Sequence, residues 1–534
     1  MSKRVYAQRM VTVPMWSGML THTMRHTFCI LACCWAPFAL ILVVGCATVD
    51  PKPDCGRASQ LIAERTGNRE AYDPSADALV AEKVAALLSD GLTVDEAVRL
   101  ALLNSPTLQS IFQEIGASRA DVVQAGLLTN PSFSFLAQFP EGGGRTKLTM
   151  GFGQELVDLW QIPVRKKIAE SQLEQTILKV VQQAVDLTAD AKSQAYRLLA
   201  LQQAEGIANE NVALVEKSLK LAQDRFNAGE AGKLDVNLVR TSLLETRLQL
   251  IDIRRQRRLA ETALANTLGL SRWEKPWTLR DDLPMAVSLA QDDRAVLLFA
   301  MTERLDARAA ALRVQAAEDE VRQQYLKVFP SVAAGVEWER PDRKALPGRN
   351  ILADTARDSI ANGKLTAPSI QSKAQRDAER RAIVDSLLGP SLQITLPIWD
   401  QNQAQITKAR SKAEQQRKDY ETLLDAVARQ VQDALTAVQT AEEEVRFYHE
   451  QALPQASANV ESTQRTYRAG EKDIIVLIDA QRSLIFQRQA YLSVLRDYAV
   501  AMAELERAVG GRLPPIPATQ PASAPSTQPR GGAI

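Results

Sequence analysis

Three histidines (His22, His26, His449) and five cysteines (Cys29, Cys33, Cys34, Cys46, Cys55) are the whole stock of imidazole and thiol in 534 residues. If the chain is cut before Cys46, one His and two Cys remain. A zinc site needs about four N, S or O ligands, so a Cys/His zinc site is excluded and no metal site is expected. Ser–His or Cys–His catalysis would rest on His449 alone. That residue lies in a charged run, from Glu442-Glu443-Glu444 to Glu450, with the pattern of a solvated helix face. One possible disulfide cannot staple a chain of this length. The 63 acidic residues show no pair at catalytic spacing. Gly142-Gly143-Gly144 and Gly151-x-Gly153 lack both the Lys-Ser/Thr helix and the third glycine of a phosphate loop, so they read as hairpin glycines. The 64 basic side chains balance the acids, which removes the charge footprint of a nucleic-acid binder. The inventory predicts no enzyme, no catalytic residue and no cofactor.

The elements explain what such a chain is built for. Lys3, Arg4, Arg9 and Arg25 precede an uncharged run from Thr27 to Val49, most apolar from Cys29 to Val44. It is short for a bilayer helix, which needs about 20 apolar residues, and fits the apolar core of an export signal. It ends Val43-Val44-Gly45-Cys46, similar to the lipobox of bacterial lipoproteins, which makes Cys46 the expected lipidation site. An ordinary signal cut near Gly45 or Ala47 is the alternative. Residues 1–45 are thus a signal peptide and 46–90, polar and proline-containing, a lipidated linker. Residues 513–534 carry Pro, Ser, Thr and Gln without periodicity and read as a disordered tail.

Between these ends the pattern is helical. Thr93 and Glu96 have capping-box spacing ahead of Ala97, Leu100 and Ala101. Residues 164–228 hold no Pro and a single Gly, and 233–268, 403–453 and 473–509 hold neither. A 65-residue helix spans roughly 100 Å and has to pack along others. Leu424, Val431, Val438 and Val445 recur every seven residues, as do Leu484, Tyr491, Tyr498 and Leu505, the period of a coiled coil. Four short segments, about 130–139, 147–156, 329–339 and 390–398, read as strands of nearly the length a tilted transmembrane strand requires, roughly 9–11 residues.

The chain also repeats. Tyr467-Arg-Ala-Gly470-Glu471 echoes Phe226-Asn-Ala-Gly229-Glu230, 241 residues apart (470 − 229), and Gly510 stands in the same relation to Gly269. Pro330 follows Pro131 by 199 (330 − 131), so an insertion of 42 residues (241 − 199) falls in the second hairpin, within 340–389. The repeats run 91–270 and 271–512. Four strands cannot close a barrel, and lipid forbids open strand edges, so a barrel requires several chains.

With these motifs the sequence resembles the TolC-type outer membrane factor family over about residues 88–512. The likeness rests on Leu92-Thr-x-x-Glu-Ala-Val-x-Leu-Ala-Leu running into Asn104, on the Asn-Pro131 and Phe-Pro330 strand starts, and on Gly389-Pro-Ser-Leu-x-Ile-x-Leu-Pro397-Ile-Trp-Asp400. The two Ala-Gly-Glu turns and Asp479-Ala-Gln-Arg-x-Leu complete it. The resemblance implies a mostly α protein with membrane β: long antiparallel helices forming a periplasmic α-barrel, and four strands per protomer contributing to a 12-stranded trimeric β-barrel. It implies a passive homotrimeric exit duct of a tripartite efflux system. The duct would be lipid-anchored in the bacterial outer membrane and work with a periplasmic adaptor and an inner-membrane pump of the RND type. A type I secretion duct, or a coiled-coil scaffold lipoprotein without a pore, are the alternatives; a scaffold has no need of the strands.

The resemblance also assigns residues. The turns at Gly229 and Gly470 would form the periplasmic tip, where they are equally explained as plain structural turns. Asp235 would pair with Tyr467 and Lys472 to hold the tip closed. Asp479 would line the pore as a ring of three carboxylates, although Val476 stands where the family often has a further Asp; a helix-start charge is the plain alternative for Asp479. The Leu396-Pro-Ile-Trp-Asp-Gln-Asn-Gln403 run is similar to that of the heavy-metal cation branch.

Overall fold

The structure, a computed structural model, describes residues 49–513 apart from 71, 73, 75–76, 140, 142–143, 272–276, 288–291, 342, 345–359 and 364–385. The export signal, Cys46, the tail from 514 and most of the inserted loop lie outside the described residues. The chain divides into a unit ending at Val49 and one beginning at Asp50, and the described helices and strands all belong to the second.

Four helices come first: α1 Lys52–Thr66, α2 Asp77–Leu87, α3 Val94–Asn104 and α4 Pro106–Ala125. The polar composition of 46–90 suggested a linker, yet it folds as α1 and α2. In α1 a stripe of Cys55, Ala58 and Ile62 is buried at helical spacing. Ion pairs fasten its polar side: Arg57 reaches Glu174 through both terminal nitrogens at 2.7 Å, and Arg119 grips Asp54 through two bonds of 2.5 Å. Its C-terminal end meets the end of the described chain, where the Arg512 amide donates to the Arg65 carbonyl at 2.8 Å. Helix α3 starts as its spacing predicts. Thr93 Oγ1 accepts the Glu96 amide at 3.2 Å, and the Thr93 amide donates to Glu96 Oε2 at 2.8 Å.

Strands β1 Ser132–Gln138, β2 Gly144–Arg145 and β3 Lys147–Glu155 follow, then the long helices α5 Asp158–Asn227 and α6 Lys233–Thr267. The second half runs α7 Asp293–Glu303, α8 Leu305–Leu326, β4 Ser331–Arg340, β5 Arg343–Lys344, β6 Leu387–Thr395, α9 Gln403–Phe447, α10 Leu453–Arg468 and α11 Ile474–Val509. The duplication is visible in the element starts: α4 and α8 begin 199 residues apart (305 − 106), α6 and α11 241 apart (474 − 233). The last predicted strand is displaced, from 390–398 to 387–395, because Leu387 and Leu388 pair with Glu339 and Trp338 while Pro397 lies beyond the ladder.

Helix α5 has 70 residues, roughly 105 Å. Across the molecule α6 packs on α5, α5 on α11, and α11 on α9 and α10, leaving α6 and the α9–α10 line as outer members. Between α9 and α10 lies one π-helical turn, Tyr448–Ala452. Its cause is legible in the seam. Val431, Val438 and Val445 are buried at sevenfold spacing, and so are Val460 and Tyr467, but the step from 445 to 460 is 15 rather than 14. The wider turn takes up the extra residue and returns the apolar row to its partner.

Strands β1, β3, β4 and β6 form one antiparallel sheet in that order. Side chains alternate across it, so the register sorts them. One face holds the rows Phe133–Phe152–Val336–Pro390 and Phe135–Met150–Trp338–Leu388; the other holds Ser132–Gly153–Gly335–Ser391 and Ser134–Gly151–Glu337–Gly389. The apolar face stands open, with Phe133 68% and Leu388 74% exposed. Strands β1 and β6 are the edges. No helix among the described residues is long and apolar enough to cross a membrane.

Each repeat closes on a packed junction. After α6, Gly269 at φ +70° lies so close to α3 that a Cβ would meet the Asn104 carbonyl oxygen at 2.4 Å, and Asn104 Nδ2 donates to the Leu268 and Gly269 carbonyls at 3.0 and 3.1 Å. After α11, Gly510 lies against Arg304 in the same way. Arg304 Nη1 donates to the Ala508 carbonyl at 3.1 Å, and its other nitrogens hold Asp306 at 3.0 and 2.6 Å.

Candidate functional site at the helical tips

The far ends of the two long hairpins are built alike. In the first, the Gly229 amide donates to the Phe226 carbonyl at 3.0 Å and the Glu230 amide to the Arg225 carbonyl at 2.9 Å. In the second, Gly470 donates to Tyr467 at 3.1 Å and Glu471 to Thr466 at 3.0 Å. Both glycines are left-handed, φ +75° and +80°, which an L side chain adopts only at a cost. The sequence-predicted turns thus share one geometry.

The expected closing pair is not formed within the protomer. No ion pair or hydrogen bond joins Asp235 to Lys472 or to Tyr467 among the described residues. Asp235 sits half-buried in the first turn of α6, where a carboxylate complements the helix dipole, and Lys472 is exposed between α10 and α11. Tyr467 is only 2% exposed, and its hydroxyl has no hydrogen-bond partner among the described residues. Burial pushes the phenol above its ordinary range; the Arg225 guanidinium opposes the shift and the Asp235 carboxylate adds to it.

Arg225, which the motif reading passed over, makes the connection instead. From the last turn of α5 its Nη1 donates to the Tyr467 carbonyl at 2.6 Å, and its guanidinium carbon lies 4.8 Å from the centroid of the Tyr467 ring. A cation thus caps the C-terminal end of α10. One turn pair higher, buried Gln481 of α11 donates to buried Ser218 of α5 at 2.7 Å. Asn211, Ser218 and Arg225 are spaced by seven along α5, and that polar row in an apolar seam was the available signal. Around them pack Val215, Ala222, Val239, Leu243, Ile474, Leu477 and Ile478.

Asp479 is exposed on α11, without an ion pair among the described residues, beside exposed Ile475 and Val476. Among the described residues no group of three or more His, Cys, Asp or Glu side chains could hold a metal ion. His449 lies at the π-helical turn with its ring stacked on Tyr491, centroids 6.0 Å apart.

Hairpins of this length joined to an open, two-faced sheet define a protomer of a membrane channel. The profile of the outer membrane efflux protein family matches residues 97–270 and 299–511, and the chain belongs to that family. It is similar to the cobalt-zinc-cadmium resistance protein CzcC of Cupriavidus metallidurans, 22% identical over 420 residues that cover 78% of this chain and 90% of the relative. It is also similar to the pyoverdine export outer membrane protein OpmQ of Pseudomonas putida, 23% identical over 322 residues, 59% of each chain. Among solved structures the fold matches CusC with a TM-score of 0.62 and 17% identity, covering 79% of this chain and 92% of that one. The outer-membrane channel OprN matches with a TM-score of 0.62 and 19% identity over 85% and 95%. The protein is therefore an outer membrane efflux channel component of a tripartite system, extending into the periplasm, in a family of channels rather than enzymes.

Proposed function

We propose that three copies join their sheets into one 12-stranded barrel and their hairpins into a periplasmic tube, a passive exit duct gated at its tips. The open sheet carries this reading. Its apolar face needs lipid, and its edges at β1 and β6 need neighbours, because unpaired backbone groups in hydrocarbon cost several kcal/mol each. The polar face, with Glu337 and the Lys147–Glu339 pair at 2.8 Å, would then line the pore. A second row of exposed apolar side chains, Leu244, Leu248 and Ile251 on the outer helix α6, supports the same assembly.

The tips are the docking place for the periplasmic adaptor, through which an inner-membrane pump of the RND type supplies the energy. Acyl chains on Cys46 add an anchor to the outer membrane. Asp479 supplies a ring of three carboxylates that favours cations at the tip. The relative named for cobalt, zinc and cadmium resistance supports divalent cations as the cargo, in line with the Leu396–Gln403 run.

Deleting the gene and measuring minimal inhibitory concentrations of cobalt, zinc, cadmium and a panel of drugs tests the reading. Metal tolerance should fall and be restored by the full-length chain. Loss confined to drugs would overturn the cargo, and no change for any compound would overturn the efflux role of the duct. Because Asp235 and Lys472 are unpaired within one protomer, their double replacement by Ala raises single-channel conductance only if the pair forms between protomers.

A further inference from the structure

All four helix attachments of the sheet lie at one of its ends. Helix α4 leads into β1, β3 runs out into α5, α8 leads into β4 and β6 runs out into α9. The helices extend into the periplasm, so the opposite end, where the hairpin from β1 to β3 turns and where β4 stops, faces outward. Strand β4 has 10 residues. At about 3.3 Å per residue and a tilt of about 40° it climbs roughly 25 Å, the height of the apolar band of an outer-membrane barrel. Ser331 and Arg340 therefore stand at the two boundaries of that band.

The register puts Arg340 on the lipid side. Ala137, Leu148 and Arg340 form the next row of the apolar face, one step outward from Phe135–Met150–Trp338–Leu388. A charge in this row is on the face away from the pore, at headgroup height, and Trp338 below it holds the place of an interfacial aromatic. Beyond the other end of β6, Trp399 is 89% exposed and marks the inner boundary. Arg340 Nη2 donates to the Thr146 carbonyl at 3.4 Å, and its buried Nε has no hydrogen-bond partner among the described residues. The neighbouring Glu339 belongs to the opposite face, where Lys147 holds it at 2.8 Å.

Just outside this row the ribbon of β2 and β5 sets Arg145 directly opposite Arg343, and Gly144 opposite Lys344. Like charges facing each other across an antiparallel pair destabilise it, and an anion between them removes the repulsion. Residues 138–147 and 339–344 together carry five basic side chains, Arg145, Lys147, Arg340, Arg343 and Lys344, against three acids, Glu141, Glu339 and Asp342. The excess is positive at the rim that meets the outer leaflet.

We propose that this rim binds the phosphate groups of the outer-leaflet lipid, with Arg340 meeting the headgroup from the lipid-facing side and the Arg145–Arg343 pair adding charge just beyond it. This rests on the apolar face of the sheet meeting lipid, and it needs no second copy of the chain. Guanidinium suits the task because its planar fork offers phosphate two parallel N–H donors. A phosphate held there offsets the repulsion in the ribbon and fixes the height of the sheet in the bilayer.

Full-length protein purified from outer membranes is first mixed with phosphatidylcholine vesicles and floated on a density gradient. A wild type that does not insert refutes the lipid-facing reading of the sheet, and the rim site with it. Binding is then read by native mass spectrometry in a neutral detergent. The probes are lipid A (a glycolipid carrying two phosphates), the same lipid stripped of its phosphates, and inorganic phosphate. The wild type should bind lipid A at least about tenfold more tightly than the stripped lipid. Arg340→Ala should weaken lipid A about tenfold, the effect of losing one charge-assisted hydrogen bond, and Arg145→Ala with Arg343→Ala about tenfold or more. Arg340→Lys, which keeps the charge without the fork, should fall between wild type and Arg340→Ala. Affinity that ignores the phosphates, or that is unchanged in these variants, overturns the proposal. Inorganic phosphate binding as tightly as lipid A overturns the lipid as the occupant. Should Arg340→Ala fail to insert, the Arg145→Ala, Arg343→Ala variant, whose changes lie outside the four-stranded sheet, decides.

Discussion

One added methyl group should have three different costs at three glycines that share a left-handed backbone. At Gly229, φ +75°, nothing lies within 4 Å of the new Cβ, so Ala carries only the left-handed penalty, about 1–2 kcal/mol. At Gly510, φ +87°, the Cβ meets Arg304 Cγ at 3.2 Å and Cα at 3.3 Å. The Cγ can yield by tenths of an ångström but the Cα is backbone, and together they add about 1–2 kcal/mol. At Gly269, φ +70°, the Cβ meets the Asn104 carbonyl oxygen at 2.4 Å and its Nδ2 at 2.9 Å. Backbone cannot step aside cheaply, and the two hydrogen bonds from Asn104 are displaced with it. With the left-handed penalty, overpacking of about 1–3 kcal/mol and lost bonds near 1 kcal/mol bring Gly269→Ala to about 3–6 kcal/mol. Urea unfolding in detergent, followed by helical circular dichroism at pH 7, should rank the midpoints Gly229→Ala, Gly510→Ala, Gly269→Ala from highest to lowest. If Gly229→Ala unfolds as early as Gly269→Ala, close packing at the repeat junction is not what requires glycine there.

Other expectations concern the sheet and two titrating groups. Phe152→Lys places a charge on the apolar face and should cost about 2–4 kcal/mol, depleting the protein from outer membranes on immunoblots, whereas Thr149→Lys on the opposite face should insert normally. The Thr93 amide and hydroxyl, then Arg280, hold the Glu96 carboxyl below its ordinary range against the effect of burial. A lowered acid stabilises the fold above its unfolded pKa and ceases to as pH falls through the folded value. Glu96→Gln should therefore lower the urea midpoint at pH 7 by an amount that vanishes in acid. Burial, with the Glu506, Asp95 and Asp281 carboxylates, pushes the Tyr196 phenol up to about 12. Comparing Tyr196→Phe with the wild type by ultraviolet titration should show the difference only near that pH, and a difference at pH 10 would contradict the burial.

Legibility differed by element for physical reasons. The long helices, the capping box at Thr93 and the two glycine turns depend on local spacing, and they stand where the sequence put them, to within a few residues. Helix α1 was hidden because its surface is held by distant partners, Glu174 on α5 and Arg119 on α4, so its composition looks like that of a linker. The π-helical turn was half visible as a 15-residue step in the seam, but which turn would widen depends on the facing helix. At the tip, the family pattern pointed to Asp235 and Lys472, while the protomer is joined by Arg225, whose reach across to α10 no local motif encodes.

Period and local chemistry, both readable along a single chain, set the coiled-coil helices in two repeats, the four short strands and the glycine turns. The folded arrangement was needed to settle which sheet face is apolar, since a register slip of one residue would exchange the faces. It was needed again at the tips. The two turns are nearly identical as sequence, and the packing of α5 against α10 and α11 is what shows that Arg225 of the first hairpin reaches the helix end of the second. Periodicity is a property of a segment, whereas a contact is a property of two segments brought together by the whole fold.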